Sequence, residues 1–145
     1  MQSSAAQIVT TLLAALRTAH WSHWTSHWQV KGNPYYGDHL LLERIYTAVT
    51  DEIDTLAEKC VAFYGAESVD PVAQANMMSD MLVHHAEADP IMRALKIERF
   101  LQTMFAEVFE ELEASGQMSL GLNDFIAAAA NAHETAIYLL QQRTR

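Results

Sequence analysis

Apolar residues recur at three- and four-residue intervals over four long stretches of the chain, and the breaks between them fall at glycines and prolines. That spacing predicts amphipathic helices. The first runs from a cap at Ser3 or Ser4 to about Val30, where Lys31-Gly32-Asn33-Pro34 supplies turn chemistry. Leu13, Leu16, His20, Trp24 and His27 share one of its faces. The second is expected to start under an Asp38 cap and to end near Gly65, burying a stripe of Leu42, Ile45, Val49, Ile53, Leu56, Cys60 and Phe63. Asp89-Pro90 opens a third, which reaches about Ala114 before Ser115-Gly116 and carries Leu95, Phe100, Leu101, Met104, Phe105, Val108 and Leu112. A fourth spans about Asn123 to Gln142, with Phe125, Ile126, Ala129, Ala130, Ile137 and Leu140 apolar. The connection from Ala66 to about Ala88 is too long to be structureless, which predicts a short extra helix around Val72 to Ser79. Two hairpins joined by that crossover make an all-α four-helix bundle.

Composition adds limits. The chain has 145 residues, half of them apolar, enough for one domain over 1–145 that folds without staples. No apolar run approaches the ~20 residues of a membrane span, and the first residues lack the basic region of a secretory signal. A cytoplasmic protein is expected. The single cysteine, Cys60, forms no intramolecular bridge and, lying on the apolar stripe, reads as a buried inert thiol. A net charge of −9 repels phosphate backbones and attracts cations, so a metal or a protein suits it better than DNA.

The histidines carry the candidate chemistry. Of seven, His20, His23, His27 and His39 fall in the first forty residues. In the segment HWSHWTSHW, His20 and His23 taken alone read as aromatic packing. His27 and His39 differ, because each stands six residues from Asn33, so a hairpin turning at Lys31 to Tyr36 sets them side by side. Two converging imidazoles form half of a transition-metal site, and with carboxylates they suit iron or zinc. Asp54 and Glu58, one turn apart on the second helix, point away from its buried stripe and supply the other half. Along one helix, however, His39 and Asp54 are about 22 Å apart. An antiparallel copy of that helix, crossing near Thr47, closes the gap, and a twofold dimer then holds two identical sites. Metal sites inside one bundle are usually built on Glu-x-x-His motifs. The sequence has none, which directs the expectation to an interface.

The run His27-Trp28-Gln29-Val30-Lys31-Gly32, followed by His39 and by Asp54-x-x-x-Glu58-Lys59, resembles the Dps-like mini-ferritins of the ferritin-like superfamily. The likeness covers residues 27 to 65 directly. It implies a ferritin-like four-helix bundle with a short extra helix between helices 2 and 3, assembled as twofold dimers into a hollow shell of twelve subunits. It further implies a ferroxidase: His27 and His39 of one subunit, with Asp54 and Glu58 of its mate, hold ferrous iron while hydrogen peroxide or dioxygen oxidises it for storage. Trp28 matches the family tryptophan beside that site, with a shielding or radical-quenching role, or ordinary interface packing.

Other positions depart from the family pattern or stand outside it. Arg17 is the one basic residue among the first thirty, and Arg143 and Arg145 are the basic residues at the far end, which argues against DNA as a partner. His84 and His85 in the crossover read as surface residues, and Met77, Met78 and Met81 as packing. Glu43, Asp51 and Glu52 are candidates for an acidic ferric-nucleating surface, and Asp124 with Glu107, Glu110, Glu111 and Glu113 for a pore lining or the exterior. Two rivals follow from the same residues. One is a non-enzymatic shell that binds DNA or another partner; the other is a zinc-bound structural interface.

Overall fold

The computed structural model describes residues 3–145. Five helices, α1 (Ser4–Gln29), α2 (Tyr35–Tyr64), α3 (Pro71–His84), α4 (Pro90–Ser115) and α5 (Leu120–Thr144), follow in chain order, with a 3-10 turn at Ala66–Val69. Four have a clear start. The side chains of Ser3, Asp70, Asp89 and Ser119 each accept a backbone N–H of the following first turn. Prolines at 71 and 90 occupy first-turn positions, where their missing N–H costs nothing. Gly116, at φ +70, ends α4 in the left-handed conformation, and the Gln117 amide returns to the Leu112 carbonyl at 3.0 Å.

α1 packs against α2 and α4, α4 packs against α5, and α2 meets α5 over only a short stretch, so the four long helices close a ring with one thin seam. α3 docks on α1: buried Gln74 donates its amide to the Thr10 carbonyl at 3.0 Å, and the hydroxyls of Thr11 and Thr18 point at the sulfurs of Met77 and Met81. Leu12, Leu16, Leu56, Leu101 and Leu112 have no exposure and belong to one apolar core; Val30, Leu42, Ile91, Leu95 and Leu140 form a second at the other end of the bundle. Among the described residues no helix is long and apolar enough to cross a membrane.

Several expectations change. Asp38 is no cap; it lies in the first turn of α2, 3% exposed, and accepts from Arg143 Nε at 2.6 Å and Nη2 at 2.8 Å. Phe63 drops out of the buried stripe at 52% exposure, and the next residue, Tyr64, packs against the core instead. The crossover helix extends well beyond 72–79, and α5 begins three residues before Asn123. Cys60 is buried as expected, and burial pushes its thiol up to about 11.

Candidate metal centre

The connection after α1 turns at Gly32, φ +88, a conformation that excludes most side chains, and delivers α2 back along α1. His27 in the last turn of α1 thereby meets His39 near the start of α2. Their rings stack with centroids 3.5 Å apart and planes 17° from parallel. His27 Nδ1 lies 2.7 Å from the His39 carbonyl oxygen, and His39 Nδ1 lies 2.8 Å from the His27 carbonyl oxygen. A carbonyl only accepts, so each Nδ1 carries a hydrogen, and it is Nε2 that holds the lone pair in the neutral form of each ring. Reciprocal bonds of this kind are how proteins fix the tautomer and orientation of metal-binding histidines. Tyr35 stacks on His39 at 5.1 Å, and Tyr46 meets His27 edge-on at 5.3 Å. Only 7% of His27 is exposed, whereas His39 is half-buried and reachable.

Asp54 and Glu58 are both exposed on α2, far from this pair on the same helix. One chain brings the two imidazoles together and leaves the two carboxylates apart from them. Among the described residues no three His, Cys, Asp or Glu side chains are set to hold a metal ion. Trp28, 61% exposed, tilts against Trp24 at 5.2 Å, and Trp24 stacks on Tyr46 at 5.7 Å. With Tyr35, Tyr36 and Leu40 also exposed, the histidine end of the α1–α2 hairpin carries a large apolar patch.

A second constellation lies inside the bundle, where pattern alone had not assembled one. His23 of α1, Glu52 of α2, Glu98 of α4 and His133 of α5 form a continuous chain of contacts. His23 Nε2 is 2.9 Å from Glu98 Oε2, His133 Nδ1 is 2.6 Å from Glu98 Oε1, and His133 Nε2 is 2.7 Å from Glu52 Oε2. Both nitrogens of His133 face carboxylate oxygens, so both carry protons and the ring is an imidazolium. Burial alone would lower the His133 pKa, but hydrogen bonds to Glu52 and Glu98 outweigh it and raise it to about 10. Burial likewise pushes the Glu98 carboxyl up, and the hydrogen bonds from His133 and His23 bring it down to about 2. Glu52 is therefore no free nucleating carboxylate, and His23 is a core residue with no exposure. The sequence signal for Glu98 and His133 was a charged or polar residue at a buried-stripe position: Ala94 and Leu101 flank the first, Ala129 and Ala136 the second.

The remaining candidates settle on surfaces. His20 is half-buried, edge-on to Trp24 and Tyr46. His84 is exposed, and His85 packs on Phe100 with ring centroids 4.2 Å apart. Glu43, Asp51, Asp124, Glu107, Glu110 and Glu113 are exposed, while Glu111 is half-buried and accepts from the Ser4 hydroxyl at 2.9 Å.

No family model matches the sequence, and no curated protein matches it in sequence. Solved structures match its shape. DpsC from Streptomyces coelicolor aligns at TM-score 0.82 over 97% of this chain and 83% of that one, with 20% identity. The chain has the Dps fold. Dps from Thermosynechococcus elongatus gives TM-score 0.79 and 19% identity, covering 99% of this chain and 96% of its own. The Dps protein from Vibrio cholerae O1, a member of a broad superfamily of ferritin-like diiron-carboxylate proteins, gives 0.77 and 16%, with 97% and 89% covered. At these identities the Dps likeness concerns architecture, an all-α ferritin-like bundle, and leaves the chemistry to the side chains.

Proposed function

We propose that this protein is a Dps-like ferroxidase and iron store whose sites form between two subunits. Ferrous iron is the substrate, held by Nε2 of His27 and His39 and by Asp54 and Glu58 of the partner subunit. The observation that carries this reading is the reciprocal Nδ1-to-carbonyl pairing, which occupies both Nδ1 atoms and leaves both Nε2 atoms without a hydrogen-bond partner among the described residues. Asp54 and Glu58 supply what is missing, since they are exposed on the same helix and one turn apart. Thr47 and Ala48, small and exposed, lie midway between the two half-sites and let two antiparallel α2 helices approach closely.

Neutral imidazoles bind Fe(II) without adding charge, while the carboxylates compensate the extra positive charge of Fe(III) and so favour oxidation. Few protein ligands leave positions open for an oxidant. Hydrogen peroxide takes one electron from each of two ferrous ions and, with two protons, leaves as water, so no hydroxyl radical is released. Dioxygen is the alternative oxidant. Trp28 beside the site shields the iron and gives up an electron to any stray oxidising species. Twofold dimers closing into a dodecameric shell would sequester the ferric product, and the acidic chain disfavours DNA as a partner.

Mixing metal-free protein anaerobically with Fe(II) and then adding peroxide tests the reaction. A fast rise in ferric absorbance is expected, and an Asp54→Ala/Glu58→Ala variant should lose most of its rate. Wild-type rates in that variant would remove the site assignment. Zinc suits the same ligands, so protein that holds zinc between subunits and turns over no iron would instead be a structural interface.

A further inference from the structure

We infer that the outward face of α2 docks on a second copy of the chain through two reciprocal salt bridges, each between Arg44 of one subunit and Asp51 of the other. The inference rests on the shared-site reading above for the register of the two helices. With His39 of one copy opposite the Asp54–Glu58 turn of the other, antiparallel α2 helices cross near Thr47. Arg44 stands three residues before Thr47 and Asp51 four after it, about 4.5 and 6 Å of helix rise. Antiparallel pairing therefore brings Arg44 to within about 1.5 Å, along the helix, of the level of the partner's Asp51.

The two residues also share an edge of the helix. Arg44 lines a groove of about 270 Å³ on the thin α2–α5 seam, and Asp51 lines the neighbouring groove of about 370 Å³ on the same seam. The rotation that exchanges two antiparallel helices has its axis across both, at right angles to the line joining them. It sets the α5 edge of one helix against the α5 edge of the other. Glu43 is level with the partner's Asp51 but projects from the opposite edge, where Tyr46 meets α1, and so does not crowd it.

Charge makes the fit specific. Glu43, Asp51, Asp54 and Glu58 are exposed on α2 and Arg44 is its one exposed cation, so two copies laid face to face repel unless Arg44 is matched. Among the described residues neither Arg44 nor Asp51 has a salt bridge within the chain. Slipping one helix by a turn either way sets Arg44 opposite Thr47 or Thr55, which have no charge to offer. Interfacial charge pairs fix partner and register more than they add affinity. Register is what the metal site needs, because the same slip, about 6 Å, would part His39 from Asp54 and Glu58.

Charge reversal tests this on the metal-free protein. A chain with Arg44→Asp is acidic at both positions and a chain with Asp51→Arg is basic at both, so each alone meets like charge at both bridges. Each should self-associate at least about tenfold more weakly than wild type by sedimentation, with circular dichroism still helical. In an equal mixture the two variants complement each other at both bridges, so native mass spectrometry should find mixed dimers well above the random share of about half. The Arg44→Asp/Asp51→Arg double variant should regain wild-type association. Wild-type association in either single variant, random pairing in the mixture, or no rescue in the double variant would overturn the assignment. The shared-site reading fails separately, by iron oxidation that survives Asp54→Ala/Glu58→Ala, a variant that keeps both bridges.

Discussion

Glu98 lies on the buried face of α4 between Ala94 and Leu101, none of the three exposed, so its carboxylate depends on its two histidine partners for the hydrogen bonds it accepts. Its pKa is depressed, so it contributes stability above the ordinary value of 4.5, and that contribution disappears as pH falls toward 2. His133 is the opposite case. Its pKa is raised, so its contribution is complete below 6.5 and is lost as pH climbs toward about 10. Metal-free protein should therefore resist urea best between about pH 5 and 6, with stability falling on both sides. A His133→Gln variant should lose the alkaline fall, and a wild-type midpoint unchanged from pH 6 to pH 10 would contradict the charge state assigned to the ring. Truncating Glu98 to Ala at pH 6 should cost about 3–5 kcal/mol, because it leaves the imidazolium with one carboxylate in a dry core. His23, Glu98 and His133 were each visible in the sequence as polar interruptions of an apolar stripe. Their convergence was not, because a helical projection places a residue on a face but does not say which other faces it meets.

The hairpin of α1 and α2 was legible in detail, down to the pairing of His27 with His39, because one short glycine turn fixes the register of both helices. Starts and stops were read less well where tertiary partners compete. Asp38 has the chemistry of a cap, yet a bidentate pairing with Arg143 claims both its oxygens and ties the end of α5 to the start of α2. Arg143→Ala should cost about 1–3 kcal/mol by stranding that buried carboxylate, measured by denaturant unfolding. A loss within error of zero would mean that water replaces the guanidinium. Leu120-Gly121 gave no helical signal, so α5 was expected to start later; the Ser119 hydroxyl, 3.0 Å from the Leu122 amide, sets its true start. Ser119→Ala should lower stability by about 1 kcal/mol. The crossover helix was recognised from length alone, which is why its extent was underestimated.

On the scale of the whole molecule, the exposed aromatic residues, the paired imidazoles and the exposed carboxylates all lie on α1 and α2, as a twofold interface between copies of that hairpin requires. The account rests on the claim that each metal site draws its histidines from one subunit and its carboxylates from another. Co-expressing a His27→Ala/His39→Ala chain with an Asp54→Ala/Glu58→Ala chain tests this directly. Each variant alone has no complete site, whereas a mixed dimer rebuilds one of its two. Random pairing should then restore peroxide-dependent iron oxidation to about a quarter of the wild-type rate. A mixture no faster than either variant alone would contradict a shared site.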